Sequence, residues 1–235
     1  MKVSVLIPAA GSGRRMGGEI EKQFMILGDR PIVAHTLQRF QASDLIEKIY
    51  LIVPEGRVEY CREEVVIKYG LSKVTDIVIG GKERQDSVYY GLKRVNADGD
   101  NTDLIMIHDS VRPFFSERMI CESIESAQRY GSVVVAVPEK DTIKEISDDM
   151  LVCKTISRES LWRIQTPQTF CQGIITSAFQ RAVEEGYYGT DESSLVERAG
   201  WQVRVILGSY LNIKITDPED LLLGEMILKR FNFIV

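Results

Sequence analysis

Val3-Ser4-Val5-Leu6-Ile7-Pro8-Ala9-Ala10-Gly11-Ser12-Gly13-Arg14-Arg15-Met16 lies at the start of the chain, and Lys22-Gln23-Phe24 follows closely. An apolar strand running into small residues presents several backbone N–H groups in a tight turn, which makes a phosphate cradle. Arg14, Arg15 and Lys22 concentrate positive charge beside that turn. Together these features predict a polyphosphate site at the end of the first strand. Two better-known glycine loops are excluded by single residues. A dinucleotide fingerprint has its third glycine where Met16 stands, because close helix–strand packing admits no side chain there. A P-loop ends in Gly-Lys-Ser/Thr, whereas Gly13 is followed by Arg14.

The 235 residues are 44% hydrophobic and 27% charged, enough for a substantial core, and residues 1–235 are read as one α/β domain. A net charge of −5 argues against a general nucleic-acid or membrane-surface binder, so any anion site must be a local cluster of cations. Cys61, Cys121, Cys153 and Cys171 lie far apart, without the paired spacing of a zinc site or a redox dithiol. Free thiols in a reducing cytoplasm are expected. The chain has no charged-then-apolar leader and no apolar run near about 18 residues, so neither export nor membrane spanning is expected.

Strand-like and helix-like stretches alternate, which predicts a Rossmann-like, mostly parallel sheet flanked by helices. Strands are expected at Val3 to Ile7, Ile49 to Val53, Val74 to Ile79 and Leu104 to Ile107. Helices are expected at Ile32 to Gln41, Val58 to Tyr69 and Asp86 to Val95. In such sheets ligands gather beyond the carboxyl ends of strands. Gly11, Gly81 and Asp109 all fall at such ends, so three motifs should share one crevice.

The second half departs from that rhythm. After a strand at Val133 to Val137, two short strand-like runs around Thr142 to Ile146 and Leu151 to Ile156 flank the turn Ser147-Asp148-Asp149. This predicts a hairpin arm, roughly residues 138–160, protruding from the main sheet. A projecting hairpin cannot bury both faces within its own domain, so a second copy of the chain is the expected cover, giving a homodimer. Helices are expected at Ile174 to Glu185 and Glu192 to Arg198, and strands at Val203 to Leu207 and Asn212 to Ile215. A last helix, capped by Asp217-Pro218-Glu219-Asp220, should run through Met226.

Read together, the motifs match a known family. They are the opening glycine loop, Lys22-Gln23-Phe24, Gly80-Gly81-Lys82-Glu83-Arg84-Gln85-Asp86-Ser87-Val88 and His108-Asp109-Ser110-Val111-Arg112-Pro113. Asp141-Thr142-Ile143-Lys144, Arg158, Leu161-Trp162, Thr166-Pro167-Gln168, Thr190-Asp191-Glu192-Ser193-Ser194-Leu195 and Asn212-Ile213-Lys214-Ile215-Thr216 extend the match nearly end to end. The chain resembles the cytidylyltransferases that make CDP-alcohols from CTP, in particular the 2-C-methyl-D-erythritol 4-phosphate cytidylyltransferases of non-mevalonate isoprenoid synthesis. The resemblance implies that a phosphate monoester oxygen attacks the α-phosphorus of CTP in line and pyrophosphate departs. It assigns Arg15 and Lys22 to the charge that builds in that transition state, and Ala9, Ala10, Gly11 and Gly13 to the phosphate cradle. Gly81 and Ser87 would read the base, and Asp109 and Ser110 would lie near the ribose and the metal-bound phosphates. Arg112, Thr142, Arg158, Thr166 and Lys214 would grip the polyol phosphate, Arg158 and Lys214 also counting as catalytic, while His108 packs structurally. Mg²⁺ is expected mainly on the CTP phosphates, with Asp109 the best candidate for a protein ligand.

Some residues depart from the family pattern. Glu21 stands where the family has proline, which predicts a more flexible approach to Lys22. The stretches 108–114 and 165–170 lean toward the sister enzymes that charge ribitol 5-phosphate, making CDP-ribitol formation the alternative. Arg158 with Leu161-Trp162, and Thr190 to Glu197, favour the isoprenoid branch. A nucleotide-binding regulatory protein without turnover is the weaker alternative.

Overall fold

Each parallel strand needs a crossover long enough to return the chain to the same end of the sheet. The computed structural model describes residues 1–11, 20–99 and 102–231. β1 (Val3–Pro8) is followed by a small hairpin, β2 (Ile26–Leu27) and β3 (Arg30–Pro31), then α1 (Ile32–Ala42) and β4 (Lys48–Val53). α2 (Val58–Tyr60) continues as a π-helical stretch, Cys61–Ile67, before β5 (Val74–Ile79), α3 (Arg84–Ala97) and β6 (Leu104–Ile107). Next come α4 (Glu117–Tyr130), β7 (Ser132–Pro138), β8 (Ile143–Ile146), β9 (Val152–Ile156) and β10 (Trp162–Cys171). α5 (Gln172–Glu184), α6 (Glu192–Arg198), β11 (Arg204–Leu207) and α7 (Pro218–Phe231) complete the described chain.

Seven strands form one sheet in the order β11-β7-β10-β6-β1-β4-β5. β10 runs antiparallel to both of its neighbours, and the other pairs are parallel. This is the α/β, mostly parallel sheet that the alternation predicts. Successive side chains of a strand point to opposite faces, so β1 contributes to both core layers. Val3, Val5 and Ile7 pack with residues of α1 and α4 on one face. Leu6 packs with residues of α3, α5 and α6 on the other. A third cluster, with Leu27, Ile32, Val111, Phe114, Ile215 and Ile227, seats α7 beside the carboxyl ends of the strands.

Several expectations need correction. Asn212 to Ile215 is not a strand; its backbone bonds the sheet's loops singly, Ile215 N–H donating to the Val111 carbonyl at 2.9 Å. α3 begins at Arg84 rather than Asp86, because Glu83 and Asp86 form a capping box that satisfies the first turn. α7 runs beyond Met226 to Phe231. Four elements lie outside the sequence expectations: the short hairpin of β2 and β3, α4 and β10. Proline argues against a central strand because it cannot donate to the ladder. β10 accommodates Pro167 through a register shift between Ile164 and Gln168, where its pairing with β7 is interrupted.

β8 and β9 pair with each other in a separate two-stranded sheet, the expected arm. Met150 has φ of +62° at its turn, and Met150, Leu151 and Val152 are exposed at 82%, 68% and 60%. Such a tip holds apolar surface that nothing in the single chain covers among the described residues.

Candidate active site

The loops after β1, β5 and β6 border one crevice of about 390 Å³ at the carboxyl ends of the strands. Ala9, Ala10 and Gly11 form one wall, Gly81 and Arg84 a second, and Asp109 and Ser110 a third, with Lys22 and Lys214 reaching in. The glycine pair is required by close approach. A Cβ on Gly80 would lie 2.4 Å from the Ala10 Cβ, and one on Gly81 would lie 2.3 Å from the Asp86 Cβ. Ser87 is buried beneath this loop; its hydroxyl accepts from Gly81 N–H at 3.1 Å and donates to the Glu83 carbonyl at 3.1 Å. It therefore shapes the Gly80-Gly81 loop from below.

Lys22 opens a short 3-10 turn, Lys22–Phe24. Gln23 is buried, and its Nε2 donates to the carbonyls of Ala9 at 2.6 Å and Gly11 at 3.0 Å, tying this turn to the glycine loop. Gly13 and Arg15, like Arg14, lie outside the described residues.

Asp109 is the electrostatic hub. Its Oδ1 accepts from Arg84 Nη2 at 3.2 Å, and its Oδ2 from Arg112 Nε and Lys214 Nζ, each at 3.1 Å. The carboxylate is 6% exposed. Burial alone would raise its pKa, but Arg84, Lys214 and Arg112 together hold it far below the ordinary carboxylate range. Lys214 reaches Asp109 because its segment is pinned beneath it. Asn212 is fully buried, donating from Nδ2 to the Thr166 carbonyl at 2.9 Å and accepting at its own carbonyl from Arg112 Nη1 at 2.9 Å.

A second chamber of about 320 Å³ shares the Arg84, Asp109 and Lys214 wall. Arg112, Thr166, Gln168, Thr190 and Asp191 line its far side. Asp191 caps α6, accepting from Ser194 N–H at 2.9 Å, while Gln168 Nε2 donates to it at 2.8 Å. Thr142 and Arg158 line neither chamber of their own chain. Both sit on or beside the arm, where Arg158 Nη1 donates to the Lys140 carbonyl at 2.5 Å.

The Thr166 hydroxyl is also committed within the protein. His108 Nε2 lies 3.0 Å from the Arg112 carbonyl, which can only accept, so Nε2 carries the proton. Nδ1 must then accept from Thr166 Oγ1 at 3.1 Å, while that oxygen accepts from Asp109 N–H at 3.0 Å. The single Thr166 proton thus goes to His108. Thr166 thus braces both Asp109 and His108 at the edge of the second chamber.

His108 is fully buried, and desolvation depresses its pKa to about 3 from an ordinary 6.5. The unfolded chain therefore binds one more proton than the folded chain between those values, and stability must fall as pH falls through that window. Urea unfolding at pH 7 and pH 5 should show a loss of about 2 kcal/mol from this one residue. A profile flat between those two pH values would refute the neutral, buried assignment.

Sequence reasoning assigned no role to Arg84 or Glu192. Arg84 also bridges to Glu192 Oε1, and Glu192 is 2% exposed at the start of α6. Arg84 borders both chambers and joins the end of the glycine-pair loop to α6. Its position one residue after the α3 N-cap, just beyond the glycine pair, is the signal that could have found it.

The residues do not fit a resident cation. Among the described residues no three His, Cys, Asp or Glu side chains group together as ligands. Both oxygens of Asp109, the candidate ligand, are taken by cationic side chains. A metal bound there would have to displace them.

Residues 3–230 match the model of the IspD family, 2-C-methyl-D-erythritol 4-phosphate cytidylyltransferase. The protein of that name from Geotalea uraniireducens strain Rf4 is 50% identical over 232 residues, spanning 99% of each chain. That from Geobacter metallireducens is 47% identical over 229 residues, 97% of this chain and 98% of its own. Among solved structures, the 4-diphosphocytidyl-2C-methyl-D-erythritol synthase of Anaerococcus prevotii superposes with a TM-score of 0.83 at 32% identity, covering 97% of this chain and 96% of that one. The 2-C-methyl-D-erythritol 4-phosphate cytidylyltransferase of Thermus thermophilus gives 0.79 at 30% identity, covering 97% and 100%. These names do not favour the ribitol alternative. The backbone at Ala9 to Gly11, a glycine pair and a cation-ringed aspartate meeting at the strand ends thus belong to a chain matched almost throughout, and the chain is a member of the 2-C-methyl-D-erythritol 4-phosphate cytidylyltransferase family.

Proposed function

We propose that this crevice joins CTP to 2-C-methyl-D-erythritol 4-phosphate, giving the CDP-alcohol and pyrophosphate. A phosphate oxygen of the alcohol attacks the α-phosphorus, and the bond from that phosphorus to the β-bridging oxygen breaks as pyrophosphate takes its electron pair. The nucleophile is already an anion, so the step needs no general base. The barrier lies in bringing two anions together and in the charge that gathers on the α-phosphate oxygens. Lys22 and Arg15 stabilise that charge, and the backbone of Ala9, Ala10, Gly11 and Gly13 cradles the triphosphate. Gly81, its loop braced by Ser87, holds the base, and Asp109 and Ser110 border the ribose.

One observation carries this reading: three cations, Arg84 and Lys214 on the wall shared by the two chambers and Arg112 in the second, converge on Asp109. In this reading Arg112 and Lys214 receive the alcohol phosphate there, their convergence on Asp109 supporting the assignment. Thr142 and Arg158 serve the same phosphate from the arm of a second copy, which makes the active form a homodimer. The exposed Met150, Leu151 and Val152 at the arm tip support that pairing. Mg²⁺ would be held by the CTP phosphates rather than by side chains and would neutralise their charge, and residues 1–235 act as one nucleotidyltransferase domain. Four free cysteines support a cytoplasmic setting. Among the described residues no helix is long and apolar enough to cross a membrane.

Initial rates of pyrophosphate release from CTP, with methylerythritol phosphate or ribitol 5-phosphate as acceptor, test the function. The methylerythritol phosphate should be preferred by at least about 10-fold in kcat/KM, the discrimination expected when a pocket must refuse a near-sized competitor. Preference for ribitol 5-phosphate would overturn the substrate assignment, and CTP binding without turnover would overturn the enzyme.

A further inference from the structure

We propose that Glu21 and Arg57 form a positioning pair that sets the pose of Lys22; this rests on the assignment of Lys22 to the transfer step. Glu21 precedes the Lys22–Phe24 turn, and its carbonyl accepts from Phe24 N–H at 2.8 Å. Its carboxylate takes Arg57 through three contacts, Nε at 3.0 and 3.1 Å and Nη2 at 2.6 Å. Arg57 belongs to the turn after β4, where its N–H donates to the Pro54 carbonyl at 2.9 Å. The guanidinium lies over two rings, 5.6 Å from the Phe24 centroid and 5.7 Å from that of Tyr60. Phe24, buried, meets Tyr60 edge to face at 5.4 Å.

Lys22 is therefore held on both sides. Gln23 ties the turn to the glycine loop, and Glu21 ties it to the end of β4. A forked guanidinium on a carboxylate fixes direction as well as distance, which a single point charge does not. Stacking on Phe24 makes the same arginine grip the turn at both its ends. A flexible lysine stem gains catalytic value only when its root is fixed, because small misplacements at a reacting phosphorus are costly. The pair supplies the rigidity that a glutamate at this position would otherwise forfeit.

The pair is half-exposed, with the Arg57 and Glu21 side chains 34% and 21% accessible, so salt should weaken it. The backbone of Glu21 offers a second way to fix the same turn. Its φ is −63°, the value a proline ring imposes. Proline at this position should therefore replace the ion pair by covalent restraint.

Arg57→Ala should lower kcat about 10-fold while the KM for CTP changes by less than about 2-fold, the pattern of a lost transition-state contact. Adding Glu21→Pro to Arg57→Ala should restore most of that kcat. An unchanged kcat in Arg57→Ala, or a loss that Glu21→Pro does not recover, overturns the proposal. Should Arg57→Ala unfold, the parent and Glu21→Pro proteins are compared across added NaCl. The parent's kcat should fall more steeply, and parallel slopes overturn the proposal. Lys22→Ala is the separate control. If it turns over like the parent, the Lys22 assignment fails; if it is inactive while Arg57→Ala is unaffected, only the positioning pair fails.

Discussion

Lys22→Ala is expected to reduce kcat by about 10²–10³-fold, as losing one preorganised donor to a developing oxyanion does. In barrier terms this is roughly 3–4 kcal/mol. The lysine enters the crevice from a turn whose fold depends on its neighbours, since Gln23 and Phe24 supply the buried contacts. Removing the ammonium should therefore leave thermal unfolding within about 2 °C of the parent, the range of a surface substitution in a chain of this size. Steady-state rates with CTP and methylerythritol phosphate, set beside calorimetry, separate chemistry from folding. Turnover as brisk as the parent's would dismantle the electrostatic account of the transfer.

Replacing Asp109 by asparagine is expected to damage both stability and activity. Arg84, Arg112 and Lys214 converge on this carboxylate at 3.1–3.2 Å. Without its charge they become three mutually repelling cations around a site that is 6% exposed. Breaking a buried charge set by removing one member costs about 3–5 kcal/mol. We expect the low end, about 3 kcal/mol, because the Arg84 and Lys214 side chains remain 35% and 38% accessible to screening solvent. For a domain of this length that lowers Tm by roughly 10 °C. Inorganic phosphate should stabilise the variant more than the parent, since the vacated position becomes an anion site. Turnover should fall about 100-fold as the cations splay from the geometry the alcohol phosphate requires. A variant with parental Tm would show that the cations do not need Asp109.

The pH behaviour distinguishes Asp109 from its neighbour. Because the folded pKa of Asp109 is depressed, its stabilisation is complete above the unfolded value near 3.8 and is lost only in stronger acid. The decline between pH 6.5 and about 5 belongs instead to His108, whose neutral form is the one the fold buries. Asp109→Asn should therefore keep the parent's slope in that range from a lower starting stability.

Much of this was legible without coordinates. Val3 to Ile7 and Leu104 to Ile107 announce buried parallel strands, because short unbroken apolar runs ended by small or polar residues pack on two faces. Gly11, Gly81 and Asp109 each follow such a strand, and that is why their meeting in one crevice could be expected. β10 was illegible because Pro167 argues locally against the central place it holds. Asn212 to Ile215 misled in the opposite direction. Its alternation imitates a strand, although Asn212 points inward to bond Thr166 rather than a partner strand.

Local pattern, then, is enough for the alternating sheet, the arm and the family. Periodicity and turn chemistry act over a few residues and leave their mark in the order of the amino acids. The charge geometry belongs to the folded chain alone. Arg84, Arg112 and Lys214 look like ordinary surface cations until strand order and the pinned Asn212 segment bring them around one buried carboxylate. Glu21 looks like a departure from the family's proline until Arg57 is found beside it. Coulomb energy depends on distance and burial in space, and neither is written in the spacing of residues along a chain.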